Sequence, residues 1–210
     1  MGTLLDMTRM RALAIPLLVA VGATALASCG GDDDDTAGGG GGDAAEITVR
    51  ESLTTIDDAV GLWSTSQSIE QAHAQAEAAA NLVVGPNGPG YGDRDGDGTI
   101  EGETEFGLLP GVDGTPNGLA VALADNSCVE ADVLGGSWDD PAARWDEMEA
   151  VIAAWSPSDN TMPQLASHPM RLVGWATLTL ASDDLDLAHE YAGHAQLHVD
   201  TALDALDCDS

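Results

Sequence analysis

The chain has 210 residues and a formal net charge of -30, from 36 acidic residues against 6 basic ones, all of which are arginine. Such a chain offers no basic patch that could neutralise phosphates, which argues against nucleic acid and anionic lipid surfaces as partners. Metal cations are the natural partners, although solubility alone also explains such a charge. Only 4% of the residues are aromatic and alanine is abundant, which favours closely packed helices over a sheet.

The first 28 residues have the organisation of an export signal. Arg9 and Arg11 precede an apolar run over 12–27, which is short for a membrane-spanning helix and contains Pro16. We therefore predict a signal peptide over 1–28.

The apolar run ends in Leu26-Ala27-Ser28-Cys29, which resembles the lipobox of bacterial lipoproteins. In that family the cysteine is lipidated and becomes the first residue of the mature chain. The resemblance implies a lipid anchor on Cys29 and an outward-facing position in the bacterial cell envelope. The alternative is a signal peptide cleaved elsewhere, which would leave Cys29 as a plain thiol.

Glycine and aspartate dominate the segment that follows Cys29, so residues 29–45 are predicted to form a flexible tether. Residues 46–210 are then one acidic domain, because their number suits a single core. Disulfides persist outside the cytoplasm, so we expect Cys128 to pair with Cys208. That bond would close a loop of about 80 residues, worth about 4 kcal/mol in the chain-entropy model. Two free buried thiols are the alternative.

Apolar residues at spacings of three and four predict helices through much of the domain. The first helical region covers 46–84, as one helix or two, and the Gly/Pro-rich run 85–90 must end it. Asp140 and Pro141 have the form of an N-cap followed by proline at the first helical position. These two residues predict the start of a helix, and Ser156-Pro157 predict its end.

Two more helices are predicted near the C terminus. The one over 169–181 is apolar almost all round, so it should be central and buried. The last is predicted to begin at Ser182 as its cap, with Asp183 and Asp184 in the first turn, where the helix dipole favours negative charge. Its apolar seam consists of Leu185, Ala188, Ala192, Ala195, Val199, Ala202 and Leu206. The predicted fold is all-α, an irregular bundle of about four main helices.

The connection over 85–136 is glycine-rich and irregular, apart from a short helix indicated around 119–124. Bundles usually have short connections, so this one must be ordered by something else or be functional. It contains Asp93-Arg94-Asp95-Gly96-Asp97-Gly98-Thr99-Ile100, which resembles the first eight positions of EF-hand and dockerin calcium loops.

This resemblance implies a calcium site. Matching the family's ligand positions to this sequence, and adding the acidic residues that flank Thr104, gives the candidate ligands Asp93, Asp95, Asp97, Thr99, Glu103 and Glu105. Ile100 takes the place of the family's apolar anchor. Thr104 stands where the family has its closing bidentate carboxylate, so the closing ligand is open. A solvated acidic turn is the alternative.

The histidines of the last helix do not form a protease motif. His189-Glu190-Tyr191-Ala192-Gly193-His194 is one residue too long for His-Glu-x-x-His, and five helical steps point the two histidines about 140° apart. The sequence also has no nucleophile elbow and no phosphate-binding glycine loop. No enzyme class is therefore indicated.

Glu190, His194 and His198 are instead spaced by four, which places them along one helix face. His73 lies on the inner side of the first helical region, with Glu77 four residues on. If the first and last helices are neighbours, these side chains could bind zinc, copper or iron in the bundle core. Hydrogen-bonded structural histidines are the alternative.

Two functions of different classes follow. The first is a non-catalytic, membrane-anchored extracytoplasmic lipoprotein, a binding or structural module whose long connection calcium orders. The second is a transition-metal handling protein or metalloenzyme that uses the histidine cluster. The sequence favours the first.

Overall fold

The computed structural model describes residues 40–158 and 162–208, which lie in one compact unit. The predicted signal peptide and Cys29 lie outside the described residues. Within them the structure contains helices and no strand, which confirms the all-α prediction. None of the described helices combines the length and apolar character needed to cross a membrane.

Five α-helices form the framework: α1 (Gly40–Ser64), α2 (Ile69–Val84), α3 (Pro141–Ala154), α4 (His168–Leu180) and α5 (Leu185–Asp204). The first helical region is thus two helices, and Ser68 caps the second by accepting a hydrogen bond from the amide of Gln71. α1 begins inside the segment predicted as tether, because Ala44 and Ala45 are good helix formers that extend it toward the N terminus.

Four of these helices form a closed bundle. α1 packs against α2 and α5, and α4 packs against the same two helices, while α3 lies outside and packs on α4. α5 presents its predicted seam of small residues to its neighbours, and Ala192 and Ala195 at its centre are completely buried. α4 buries Leu172 and Trp175, as its almost wholly apolar sequence predicts.

The start of α5 differs from the prediction. Asp184, and not Ser182, is its N-cap, because the Asp184 carboxylate accepts hydrogen bonds from the amides of Asp186 and Leu187. Ser182 instead accepts a hydrogen bond from the amide of Asp184 at 3.1 Å. The predicted cap was wrong by two residues, because several good capping residues follow each other there.

The long connection is an ordered part of the core. The amides of Leu108 and Leu109 donate to the carbonyls of Leu82 and Val83 at 3.1 and 3.0 Å, which satisfies the end of α2. Both leucines are completely buried. The connection continues through a short 3-10 helix, Leu119–Leu123, near its predicted place, and a π-helix, Val129–Leu134, which the sequence pattern did not predict.

Cys128 immediately precedes the π-helix, and Cys208 follows α5. Their sulfur atoms lie at bonding distance and their Cα atoms are 6.3 Å apart, which confirms the predicted pair. The disulfide ties the C-terminal end of the chain to the long connection.

Gly102 lies where the connection crosses α2. Its φ is +72°, and a Cβ atom there would overlap the backbone of Ala78. We expect Gly102→Ala to lower the free energy of unfolding by about 2 kcal/mol or more, measured by urea denaturation. The matched control is Gly193→Ala in α5, which has open space around it and should gain up to about 1 kcal/mol from helix propensity. Equal effects of the two substitutions would contradict this close approach.

Candidate functional site

The aspartates of the predicted calcium loop fold it into a tight turn. The carboxylate of Asp93 accepts hydrogen bonds from the amides of Gly96 and Gly98 at 2.7 and 2.9 Å. Asp95 and Asp97 each accept one from the amide two residues further on, at 3.0 and 2.7 Å. Each aspartate thus organises the backbone that follows it.

Glu77 of α2 forms the inner wall of this loop, although its side chain is completely buried. One carboxylate oxygen accepts hydrogen bonds from the amides of Arg94 and Asp95 at 2.5 and 3.1 Å. The other oxygen accepts a hydrogen bond from the amide of Glu101 at 2.8 Å. Three backbone donors therefore compensate for burying a charge that would otherwise be costly.

Three carboxylates converge at this point. Glu77, Asp93 and Asp95 each offer an oxygen atom, and these three atoms lie within 4.8 Å of one another. Ca²⁺ binds oxygens at roughly 2.3–2.6 Å, so ligands on opposite sides of one ion are about 5 Å apart. In the part of the chain that the structure describes, this is the one group of three or more Asp, Glu, His or Cys side chains with such a spacing.

The remaining predicted ligands have different positions. Asp97, Glu103 and Glu105 are exposed and lie outside this group, and Thr99 is exposed on the same turn. Ile100 is 41% exposed, so its prediction as an apolar anchor was wrong. The loop turns its backbone toward α2 and leaves this side chain in solvent.

Asn81, one turn after Glu77, ties together the two ends of the loop. Its side-chain amide donates to the carbonyls of Gly92 and Glu101 at 2.9 and 2.8 Å. Its oxygen accepts the amide of Gly92 at 3.2 Å and the guanidinium of Arg94 at 3.0 Å. Because Asn81 is completely buried, these bonds hold the loop on α2 with its backbone groups satisfied.

Arg94 is the positive group in this cluster. Burial lowers the pKa of its guanidinium to about 10, and the charge of Glu77 opposes that shift. The carboxyl groups of Glu77, Asp93 and Asp95 outnumber this one arginine, so the cluster suits a cation that adds positive charge.

In the sequence, Glu77 was grouped with the histidines, and Asn81 was not predicted as a site residue. Both residues share the buried face of α2 with Ala76 and Ala80. Two polar side chains four residues apart on an alanine face were the available signal. Nothing in the sequence indicated which segment they would contact.

His73 and His198, two of the four residues predicted to bind a transition metal, do not come together. His73 Nε2 lies 2.9 Å from the carbonyl oxygen of Ser182, just after the end of α4. His198 Nδ1 lies 3.1 Å from Nδ1 of His168, the first residue of α4. A helix of this length spans about 20 Å, so His73 and His198 lie at opposite ends of it. We therefore do not propose a shared ion.

Burial lowers the pKa of His198 to about 3, assisted by the positive charges that His168, Arg171 and His194 can carry. Burial also lowers the pKa of His168. The two rings therefore pack as neutral imidazoles, one donating to the other.

The His198 pair makes stability depend on pH. Below its ordinary pKa of 6.5, the unfolded chain takes up a proton that the folded chain excludes. The free energy of unfolding should therefore fall as the pH drops from 7 to 5. After allowance for solvent screening, we expect this fall to be about 1 kcal/mol larger in the wild type than in His198→Gln. Urea denaturation at each pH measures this difference. Parallel curves for the two proteins would contradict it.

The chain matches no protein-family model, no curated protein and no solved structure.

Proposed function

We propose that this protein is an extracytoplasmic, lipid-anchored, non-catalytic module whose helical domain holds one calcium ion between α2 and the long connection. The observation that carries the cation site is the convergence of the Glu77, Asp93 and Asp95 carboxylates within 4.8 Å. Glu77 would be the closing carboxylate that the loop itself lacks at Thr104.

The chemistry of these groups favours calcium over other ions. All three ligand groups are carboxylates, which suit hard cations, whereas zinc and copper sites usually contain histidine or cysteine. Magnesium requires near-ideal octahedral geometry, whereas calcium accepts the irregular set that a helix and a loop provide together. Backbone carbonyls and water would complete the six to eight ligands that calcium takes, as in other sites.

Calcium binding would link the long connection to the helical bundle. Glu77 is fixed on α2, and Asp93 and Asp95 belong to the connection, so an ion held by all three links the two segments. Because only the folded chain brings these residues together, calcium should stabilise the fold in proportion to its concentration.

Calcium titration of the purified chain tests this proposal. We expect about one ion per chain, a Kd on the order of 10⁻⁴ to 10⁻³ M as in extracellular modules, and a rise in melting temperature with calcium. Asp93→Asn and Glu77→Gln should each weaken binding at least tenfold, because each removes one ligand charge. Asp93 is exposed, so its variant should fold even if the buried Glu77 variant does not.

The matched control is Asp113→Asn, which removes a carboxylate from the same connection but outside the group. Its side chain accepts the amide of Thr115 at 2.9 Å, a bond that asparagine can also accept. Calcium binding that is absent in the wild type, or equally weakened in Asp113→Asn, would contradict the site.

The proposed anchor is supported by the sequence motif Leu26-Ala27-Ser28-Cys29, which lies outside the described residues. In a bacterial host given labelled fatty acid, we expect the wild type to be labelled and to enter the membrane fraction. Cys29→Ala should lose both properties, whereas Cys208→Ala should keep them. Equal labelling of wild type and Cys29→Ala would contradict lipidation at this residue.

A further inference from the structure

A cavity of about 170 Å³ lies between the end of α3 and the helices α4 and α5. Four of its lining residues have aromatic rings: Trp155, Trp175, Tyr191 and His194. Glu190 also lines it and is exposed to solvent. It is a separate site from the calcium loop, since it shares no residue with the Glu77 group.

The rings form two walls. Trp155 is nearly perpendicular to Trp175 and Tyr191, at 81° and 89°, with ring centroids 6.0 and 5.7 Å away. Trp175 also packs against Tyr191, with centroids 5.4 Å apart and planes tilted by 34°, and it stacks on His194, with centroids 4.3 Å apart and planes 13° apart. A ligand in the cavity would therefore meet aromatic surface on two sides.

The charge of the cavity is negative. Glu190 is the one acidic residue among the described residues that line it, and none of them is arginine. Burial raises the pKa of the Tyr191 hydroxyl, and the nearby Glu190 carboxylate raises it further, so the hydroxyl stays neutral beside that charge. The chain as a whole carries -30, which disfavours an anionic ligand.

We propose that this cavity binds a small quaternary ammonium group, with Trp155 and the tilted Trp175–Tyr191 pair as its walls and Glu190 as its counter-ion. Aromatic faces attract cations within about 6 Å, and a quaternary ammonium has an apolar surface and no N–H group that needs an acceptor. Drug-sized ligands usually occupy about 300 Å³ or more, so a cavity of this size suits a head group.

Other ligands fit these features less well. A metal ion requires several converging ligand atoms, whereas the described part of this cavity offers one carboxylate and one imidazole. A neutral apolar molecule would cover Glu190 without balancing its charge. The ammonium group could belong to a free solute or to a lipid head group, since both present the same chemistry.

Isothermal titration of the full chain with choline tests the proposal, with 3,3-dimethylbutan-1-ol as the neutral molecule of the same shape. We expect choline to bind at least tenfold more tightly than the neutral alcohol. Glu190→Gln should weaken choline binding several-fold, and Trp155→Leu at least tenfold, whereas Trp155→Phe should retain most of it. Trp155 is only half-buried and Glu190 is exposed, so these variants should fold.

Asp204→Asn is the matched control, because it removes one exposed carboxylate from the last turn of the same helix. It should leave choline binding unchanged. Absence of choline binding, equal binding of the alcohol, or equal effects of Glu190→Gln and Asp204→Asn would overturn the proposal.

Vesicles distinguish the two sources of the ammonium group. If phosphatidylcholine vesicles displace choline and phosphatidylglycerol vesicles do not, the result supports the site and identifies a lipid head group as its ligand. Choline binding that neither vesicle disturbs would support the site for a free solute.

Discussion

The buried carboxylate of Glu77 and the three backbone amides that surround it connect the two parts of this protein. A fully buried charge without partners would destabilise the bundle strongly, so α2 requires the loop that covers it. The loop, in turn, has no regular helix or strand, and it owes its shape to its own aspartates and its place on α2 to Glu77 and Asn81. Neither segment has a satisfied interior without the other, which explains how a bundle accommodates so long a connection.

The same arrangement places a cation site partly on a rigid element. Glu77 is fixed in the middle of α2, and its hydrogen bonds leave it little freedom to move. A ligand held in this way is positioned before an ion arrives, which reduces the entropy lost on binding. In the loops that this segment resembles, the closing carboxylate comes from the loop itself. Here the proposed closing group comes from a different helix, so the ion would respond to the packing of the bundle.

The acidity of the chain has a common consequence for both proposed sites. A net charge of -30 attracts cations of every kind, so selectivity must come from local chemistry. At Glu77, Asp93 and Asp95, converging oxygen atoms favour a hard divalent ion. Beside Trp155 and Glu190, aromatic surface with a single carboxylate favours a soft organic cation. The bulk charge therefore raises the local concentration of ligands, and the side chains select among them.

The sequence by itself determined the features that depend on neighbours within a turn or two. Helix periodicity, the Asp140-Pro141 start of α3, the Gly/Pro-rich end of α2 and the aspartates of the loop all act over a few residues. The pairing of Cys128 with Cys208 followed because these are the two cysteines other than Cys29. Cap positions were less certain where several good capping residues adjoin, as before α5.

Only the tertiary structure decided which distant side chains meet. Glu77 reaches the loop because α2 is the helix on which the connection lies, and helical periodicity contains no information about that choice. His73 and His198 share inward-facing positions, yet they contact opposite ends of α4. Trp155, Trp175 and Tyr191 come from three elements and meet only because α3 packs on the outside of α4. The physical reason is that periodicity specifies which face of a helix is buried, whereas packing across the bundle determines what that face contacts.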